Sequence, residues 1–362
     1  ASAAPPLAVS PSLSRRGFRI AAKRSLELCV HHIHKTPTIL MRLSRALATH
    51  AASLPSVQLR SGATMPMAIM GTYVGNATGH TSARDAPALV EAALRVGFTH
   101  FDTALMYQNE AELGAALRQG AASVPAELFV TTKVAHPNDE NRGHTACSYM
   151  HDPDSCAIEG AHRNVSECVA RLGLGRPIDM VLLHWPGQFR SADGVFNEQK
   201  RWEMWQGLER ALDEGLCSAI GLSNFTVKHV EQLCERGPSV MPAVNQVQAN
   251  PLCTNRAVTT LCQSLGMAVT GWSPLRVGDL SVPVLEQLAA KYGTTPAAIT
   301  LRWLVQRGVA PIPRSTHPER IAANYAAVVA PTFALTEEEL AAVDACDTGE
   351  SVFPNADPED IA

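Results

Sequence analysis

Between residues 68 and 313 the chain repeats one pattern: a short apolar stretch, then a segment of helical periodicity. The apolar stretches fall at 68–73, 98–101, 128–134, 179–184, 218–222, 243–247, 267–271 and 310–313. Helical spacing follows over 86–96, 110–117, 157–172, 202–214, 227–236 and 256–264, and then over 284–291 and 296–307. Nearly continuous apolar strands are buried on both faces, as in a parallel sheet. Strands interleaved with helices read as successive βαβ units. Eight such units in about 260 residues is the size of a (β/α)8 TIM barrel, so the expected class is α/β with that architecture. Before it, residues 56–59 and 64–67 flank a Ser61-Gly62 turn and predict a small β-hairpin. A doubly wound sheet is the competing arrangement. It is weakened because no strand runs into a G-x-G-x-x-G phosphate turn.

Composition limits the partners. Among 362 residues the net charge is −4 and no stretch is long and apolar enough to span a bilayer. Neither feature points to nucleic acid or to a membrane span. The charge is uneven: residues 1–55 hold eight Arg or Lys and one acid, a local +7 that leaves −11 for the remainder. A basic, acid-poor, Ala/Ser-rich start reads as a transit peptide addressing a mitochondrion or plastid, or as a disordered extension. The expected organisation is therefore an extension over 1–55, a barrel over 56–350 and a tail over 351–362. Nine scattered cysteines form no C-x-x-C pair, which fits a reducing compartment and small core residues.

A barrel brings the C-terminal ends of its strands to one mouth. There the sequence puts Asp102 after the second strand, Lys133 at the end of the third and His184 at the end of the fourth, with Tyr107 on the second loop. Bland roles exist for each: Asp102 as a helix cap, Tyr107 as a packing aromatic, Lys133 and Asp102 as a plain ion pair, His184 as a core histidine. Together they form a proton-delivery unit. A carbonyl that accepts hydride needs a proton, and a phenol supplies one poorly at its ordinary pKa of about 10. A neighbouring ammonium lowers that pKa. Asp102 would hold Lys133, and a neutral His184 would orient the carbonyl oxygen.

These motifs resemble the aldo-keto reductases. The likeness lies in 97–114 with its Asp102 and Tyr107, in Lys133, in His184-Trp185-Pro186, in Gly221-Leu222-Ser223-Asn224-Phe225 and in Pro313-Arg314-Ser315, and it covers about 56–350. The resemblance implies a barrel that uses NADPH and reduces aldehydes or ketones, with Asp102, Tyr107, Lys133 and His184 catalytic and Tyr107 the proton donor. It implies Ser223, Asn224 and Gln246 at the nicotinamide carboxamide, Trp272 stacked on the nicotinamide ring, and Ser273 and Leu275 on the pyrophosphate side. Thr72 joins the cofactor contacts. Arg314, Ser315 and Arg320 match a 2′-phosphate clamp and Asn324 an adenine contact, although Ala323 stands where many members carry an acid. Substrate walls are expected from Tyr73, Met106 and Trp185.

The segment 136–156 has no counterpart in the resemblance. It carries His136, Asn138, Asp139, His144, Cys147, His151, Asp152, Asp154 and Cys156. Its spacings match no common zinc pattern, so a polar lid over the substrate is expected rather than a metal site. A Cys147–Cys156 disulfide would need oxidising surroundings. Two other functions compete: a nicotinamide-binding regulatory or structural subunit, and a metal-dependent hydrolase on a barrel. The first has no need of Tyr107 beside Lys133, and the second lacks a ligand set at the strand ends.

Overall fold

The computed structural model describes residues 54–73, 85–121, 127–134, 157–187, 194–353 and 357–361. The proposed lid 136–156, with its cysteines, and the basic extension up to residue 53 lie outside them.

Strands β1 (Ser56–Gln58) and β2 (Thr64–Pro66) pair antiparallel, with Val57 opposite Met65. This is the expected hairpin. Eight strands then form one parallel sheet in chain order: β3 (Ile69–Gly71), β4 (His100–Asp102), β5 (Phe129–Val134), β6 (Met180–Leu183), β7 (Ile220–Ser223), β8 (Val244–Gln248), β9 (Ala268–Trp272) and β10 (Val309–Ile312). The sheet closes on itself where the Gly71 amide donates to the Pro313 carbonyl at 3.1 Å. A Cβ at position 71 would stand 3.1 Å from Ile312 Cγ2, so glycine allows that approach.

The helices are α1 (Ala86–Val96), α2 (Glu110–Ala121), α3 (Ile158–Leu172), α4 (Gly194–Asp213), α5 (Val227–Glu235), α6 (Arg256–Ser264), α7 (Pro283–Tyr292), α8 (Pro296–Gln306), α9 (Pro318–Val329) and α10 (Glu337–Asp344). The last two were absent from the sequence reading. Their signals were present: Pro318 sits at the start of α9, and Thr336 and Glu339 form a capping box ahead of α10.

The period of two along a strand divides the core. Phe101, Val130, Val134, Val181 and Leu183 point outward into the layer between sheet and helices. Ile69, Phe129, Met180, Leu182, Val244, Ala310 and Ile312 point into the barrel, where Leu59, Met65 and Met67 from the hairpin region join them. Following the same alternation upward from that apolar floor gives Asp102, Lys133, His184, Ser223, Gln246 and Trp272 at the ends of six strands. Register agrees: Lys133 is beside Leu182, and Gln246 is beside Ser223 and Thr270.

Candidate active site

Lys133 is the centre of the polar layer. Its ammonium donates to Asp102 Oδ1 at 2.6 Å and to the Thr103 carbonyl at 2.8 Å, and lies 3.5 Å from Tyr107 Oη. Three donors meet three acceptors, as a lysine only 1% exposed demands. The nitrogen also stands 5.0 Å from the centre of the Tyr107 ring. Tyr107 ends a short 3-10 turn, Leu105–Tyr107, whose next residue, Gln108, is left-handed with φ 53°. His184 follows β6, and its amide donates to the Val134 carbonyl at 2.8 Å. Its ring meets Tyr107 edge-on with centroids 6.0 Å apart. The four residues expected at one mouth are together.

The second oxygen of Asp102 is held by Gln246, whose Nε2 donates at 2.8 Å. The expectation had Gln246 only at the cofactor. Thr72 donates its hydroxyl to the Asp102 carbonyl at 2.9 Å, and Asn109 donates to the Thr72 carbonyl at 3.0 Å and accepts from the Thr103 hydroxyl at 2.7 Å. Asn224 is left-handed at φ 62°, a conformation that asparagine tolerates better than most residues. Its Nδ2 donates to the His184 carbonyl at 2.9 Å and its Oδ1 accepts from Trp272 Nε1 at 2.9 Å, so it ties the ends of β6, β7 and β9. Ser223 Oγ lies 3.3 Å from the same amide nitrogen.

Trp272 faces Phe353 with ring centres 5.7 Å apart. The loop after it is unusual, because Ser273, Arg276 and Val277 all have positive φ, at 49°, 43° and 58°. Buried Arg276 secures the loop by donating to the Glu350 carboxylate at 2.6 Å and its carbonyl at 3.1 Å. Leu275 is partly buried against the outer core. Arg314 donates to the Tyr73 carbonyl at 2.9 Å with its guanidinium carbon 5.4 Å from the Tyr73 ring centre. Tyr73 in turn packs 5.0 Å from the Tyr107 ring. Ser315 accepts from the His317 amide at 3.0 Å. Arg320 is exposed on the first turn of α9 and Asn324 is buried one turn later. Met106 is half-buried beside Tyr107 in sequence, and Trp185 is buried.

The electrostatics correct one expectation. Burial pushes the Tyr107 phenol above its ordinary value, and Lys133 pulls it down without cancelling that rise. The ammonium's effect has the anticipated sign but loses to desolvation. Burial also works against the charge of Lys133, yet Asp102 and then Tyr107 outweigh it and leave the ammonium above its ordinary value. Glu110, the first residue of α2, has a role that its helical spacing does not reveal. It is 1% exposed, accepts from Thr132 Oγ1 at 2.6 Å, and pairs with Arg171 at 2.8 Å. It grips β5 from outside, one residue from Lys133. The arginine that marks it lies 61 residues on in α3, so no local spacing reveals the pair.

Among the described residues, no group of three His, Cys, Asp or Glu is arranged to hold a metal, and no helix is long and apolar enough to cross a membrane. The six described cysteines are reduced, four of them buried, and burial raises the thiols of Cys217 and Cys253 to about 12 and 11.

The family model described as the aldo/keto reductase family matches residues 68–348. Aldo-keto reductase AKR2E4 of Bombyx mori is 32% identical over 86% of this chain and 98% of its own length. Morphine 6-dehydrogenase of Pseudomonas putida is 31% identical, over 86% of this chain and 97% of its own. The crystal structure of the Bombyx mori AKR2E4 enzyme in complex with NADP aligns with TM-score 0.70 and 32% identity, covering 83% of this chain and 95% of that one. The chain belongs to the aldo/keto reductase family of oxidoreductases.

Proposed function

We propose that the protein reduces aldehydes or ketones to alcohols with NADPH, and that Tyr107 delivers the proton. The observation that carries this reading is the buried ammonium of Lys133, held between Asp102 and the Tyr107 hydroxyl at 2.6 and 3.5 Å. A structural ion pair needs no phenol at its open side.

The residues at the mouth suit the cofactor. Ser223, Asn224 and Gln246 offer a hydroxyl and two amides for a carboxamide, and Trp272 offers a ring for stacking. Thr72, Ser273 and Leu275 border the same end of the barrel. Arg314, Ser315, Arg320 and Asn324 cluster at the start of α9, where guanidinium groups and the helix N-terminus suit a phosphate. A second arginine favours the 2′-phosphate of NADPH. The Bombyx mori relative was solved with NADP, which supports the same assignment.

When bound, NADPH supplies hydride to the carbonyl carbon. Negative charge then builds on the carbonyl oxygen. Burial keeps the Tyr107 phenol protonated at neutral pH, so its proton is in place when that charge appears. As the proton leaves, Lys133 stabilises the phenolate left behind, and Asp102 keeps Lys133 charged. His184, edge-on to Tyr107, orients the oxygen. Tyr73, Met106 and Trp185 form an apolar, aromatic wall for the rest of the substrate. Tyr107→Phe tests the assignment. NADPH oxidation against a panel of aldehydes should fall by about 10²–10⁴-fold, as expected for loss of a general acid. NADPH binding, followed by fluorescence, should be retained. Equal turnover by both proteins would refute the role of Tyr107.

A further inference from the structure

Ile361 lies against Trp185, two residues beyond β6, and a histidine of α5 holds its carbonyl. His229 lies in the first turn of α5, after the N-cap Thr226. Its Nδ1 accepts from the Thr226 amide at 3.2 Å. That fixes the proton on Nε2, because an imidazole that accepts at one nitrogen donates from the other when neutral. Nε2 lies 2.9 Å from the Ile361 carbonyl, which can only accept. His229 and Ile361 are both wholly buried. The Ile361 side chain packs on Trp185 in an apolar cluster separate from the two main cores.

The main chain on either side of Trp185 is tied down as well. Asn224 donates to the carbonyl of His184 before it, and buried Arg201 donates to the carbonyl of Pro186 after it at 2.9 Å. The main chain on both sides of Trp185 is thus held, and Ile361, from a different segment of chain, packs with it in that cluster. The histidine therefore decides where that contact sits.

We propose that His229 is a positioning residue for the substrate wall: by holding the Ile361 carbonyl it seats the Ile361 side chain against Trp185 and so limits the apolar group that a carbonyl substrate can carry beside His184. This rests on the reading that Trp185 lines the substrate site. His229 makes no contact with reacting atoms. It acts through Ile361, and its consequence is discrimination between small and large apolar carbonyl compounds. The reduction of a small aldehyde does not depend on it.

Three variants separate the possibilities. His229→Leu removes both bonds. His229→Gln keeps them, since a glutamine at this helix position can accept from the Thr226 amide and donate to Ile361. Ile361→Ala keeps the main-chain bond and removes the side chain. Kinetics with propanal and 3-phenylpropanal, and hydrogen exchange over residues 357–361, are then compared. His229→Leu should lose the segment's exchange protection and change KM for 3-phenylpropanal by about tenfold, the scale set by apolar contacts in a pocket. Its kcat for propanal should stay at the wild-type value. Ile361→Ala should show the same KM change without the loss of protection, and His229→Gln should behave as wild type. Unchanged protection in His229→Leu would overturn the latch. Lost protection with an unchanged ratio of KM values in both His229→Leu and Ile361→Ala would overturn the wall. If the wild type reduces neither aldehyde, the carbonyl reductase reading fails, while the exchange result still decides whether His229 holds the segment.

Discussion

The buried pair of Lys133 and Asp102 shows how far a single residue depends on its surroundings. Each side chain is at most 5% exposed, and all three ammonium protons have acceptors. Removing one partner of such a pair leaves a buried charge uncompensated and costs about 3–5 kcal/mol, whereas removing both costs less. Asp102→Asn should therefore lower stability by roughly that amount in urea unfolding, while Asp102→Asn combined with Lys133→Met should recover part of the loss. Strict additivity of the two single changes would show that the residues are not coupled. Activity should be low in all three variants, so stability rather than turnover reports the pairing. Asp102, Lys133 and His184 were legible in the sequence because each ends an apolar strand, and position on a strand dictates position in a barrel. The amide of Gln246 on Asp102 was not legible, because it joins strands 144 residues apart. Nor was the net acidity of Tyr107, which burial decides and a neighbour list does not.

At the scale of elements, Gly114 gives a sharp test. It lies inside α2, where glycine costs about 1 kcal/mol relative to alanine on helix propensity alone. Propensity therefore predicts that Gly114→Ala stabilises. Packing predicts the reverse: an added Cβ would fall 1.9 Å from the Leu172 carbonyl oxygen at the end of α3. Overpacking of this kind costs about 1–3 kcal/mol, so Gly114→Ala should lower the midpoint of thermal unfolding. A rise would mean that α2 and α3 separate more easily than their contact implies. The same contrast explains which elements the sequence revealed. Helix α1 over Ala86–Val96 and α6 over Arg256–Ser264 were read with their observed bounds, because their apolar periodicity stops where they stop. The second strand was read two residues early, at Phe98, since that ring is buried before ladder pairing begins at His100. Helix α4 begins at Gly194, ahead of the periodic segment from Trp202, because its first turns carry little apolar signal.

At the scale of the whole molecule, two buried histidines hold opposite ends of the barrel. At the floor, His100 on β4 donates from Nδ1 to the Pro66 carbonyl of the hairpin at 2.9 Å and accepts at Nε2 from Thr131 Oγ1 at 2.8 Å. At the mouth, His229 holds Ile361. Burial lowers both from 6.5 to about 4, with a backbone carbonyl opposing that shift in each case. For His229, Arg201 and Lys228 add to the lowering, and for His100 Asp102 opposes it and Lys133 adds to it. The sign follows from linkage. Below pH 6.5 the unfolded chain takes up protons that the folded chain refuses until about pH 4, so stability falls as the pH falls through that window. A shift of this size corresponds to a loss on the order of 3 kcal/mol per histidine by its lower end. Carboxylates begin to contribute near their own range, so the diagnostic interval is pH 7 to about 5. Urea unfolding there should show stability declining with acidification. His229→Gln, which keeps both bonds and cannot titrate in this range, should reduce the slope by about one proton's worth. A slope that is the same in wild type and His229→Gln would show that His229 takes up its proton equally in the folded and unfolded states, so that its burial does not exclude the charged form.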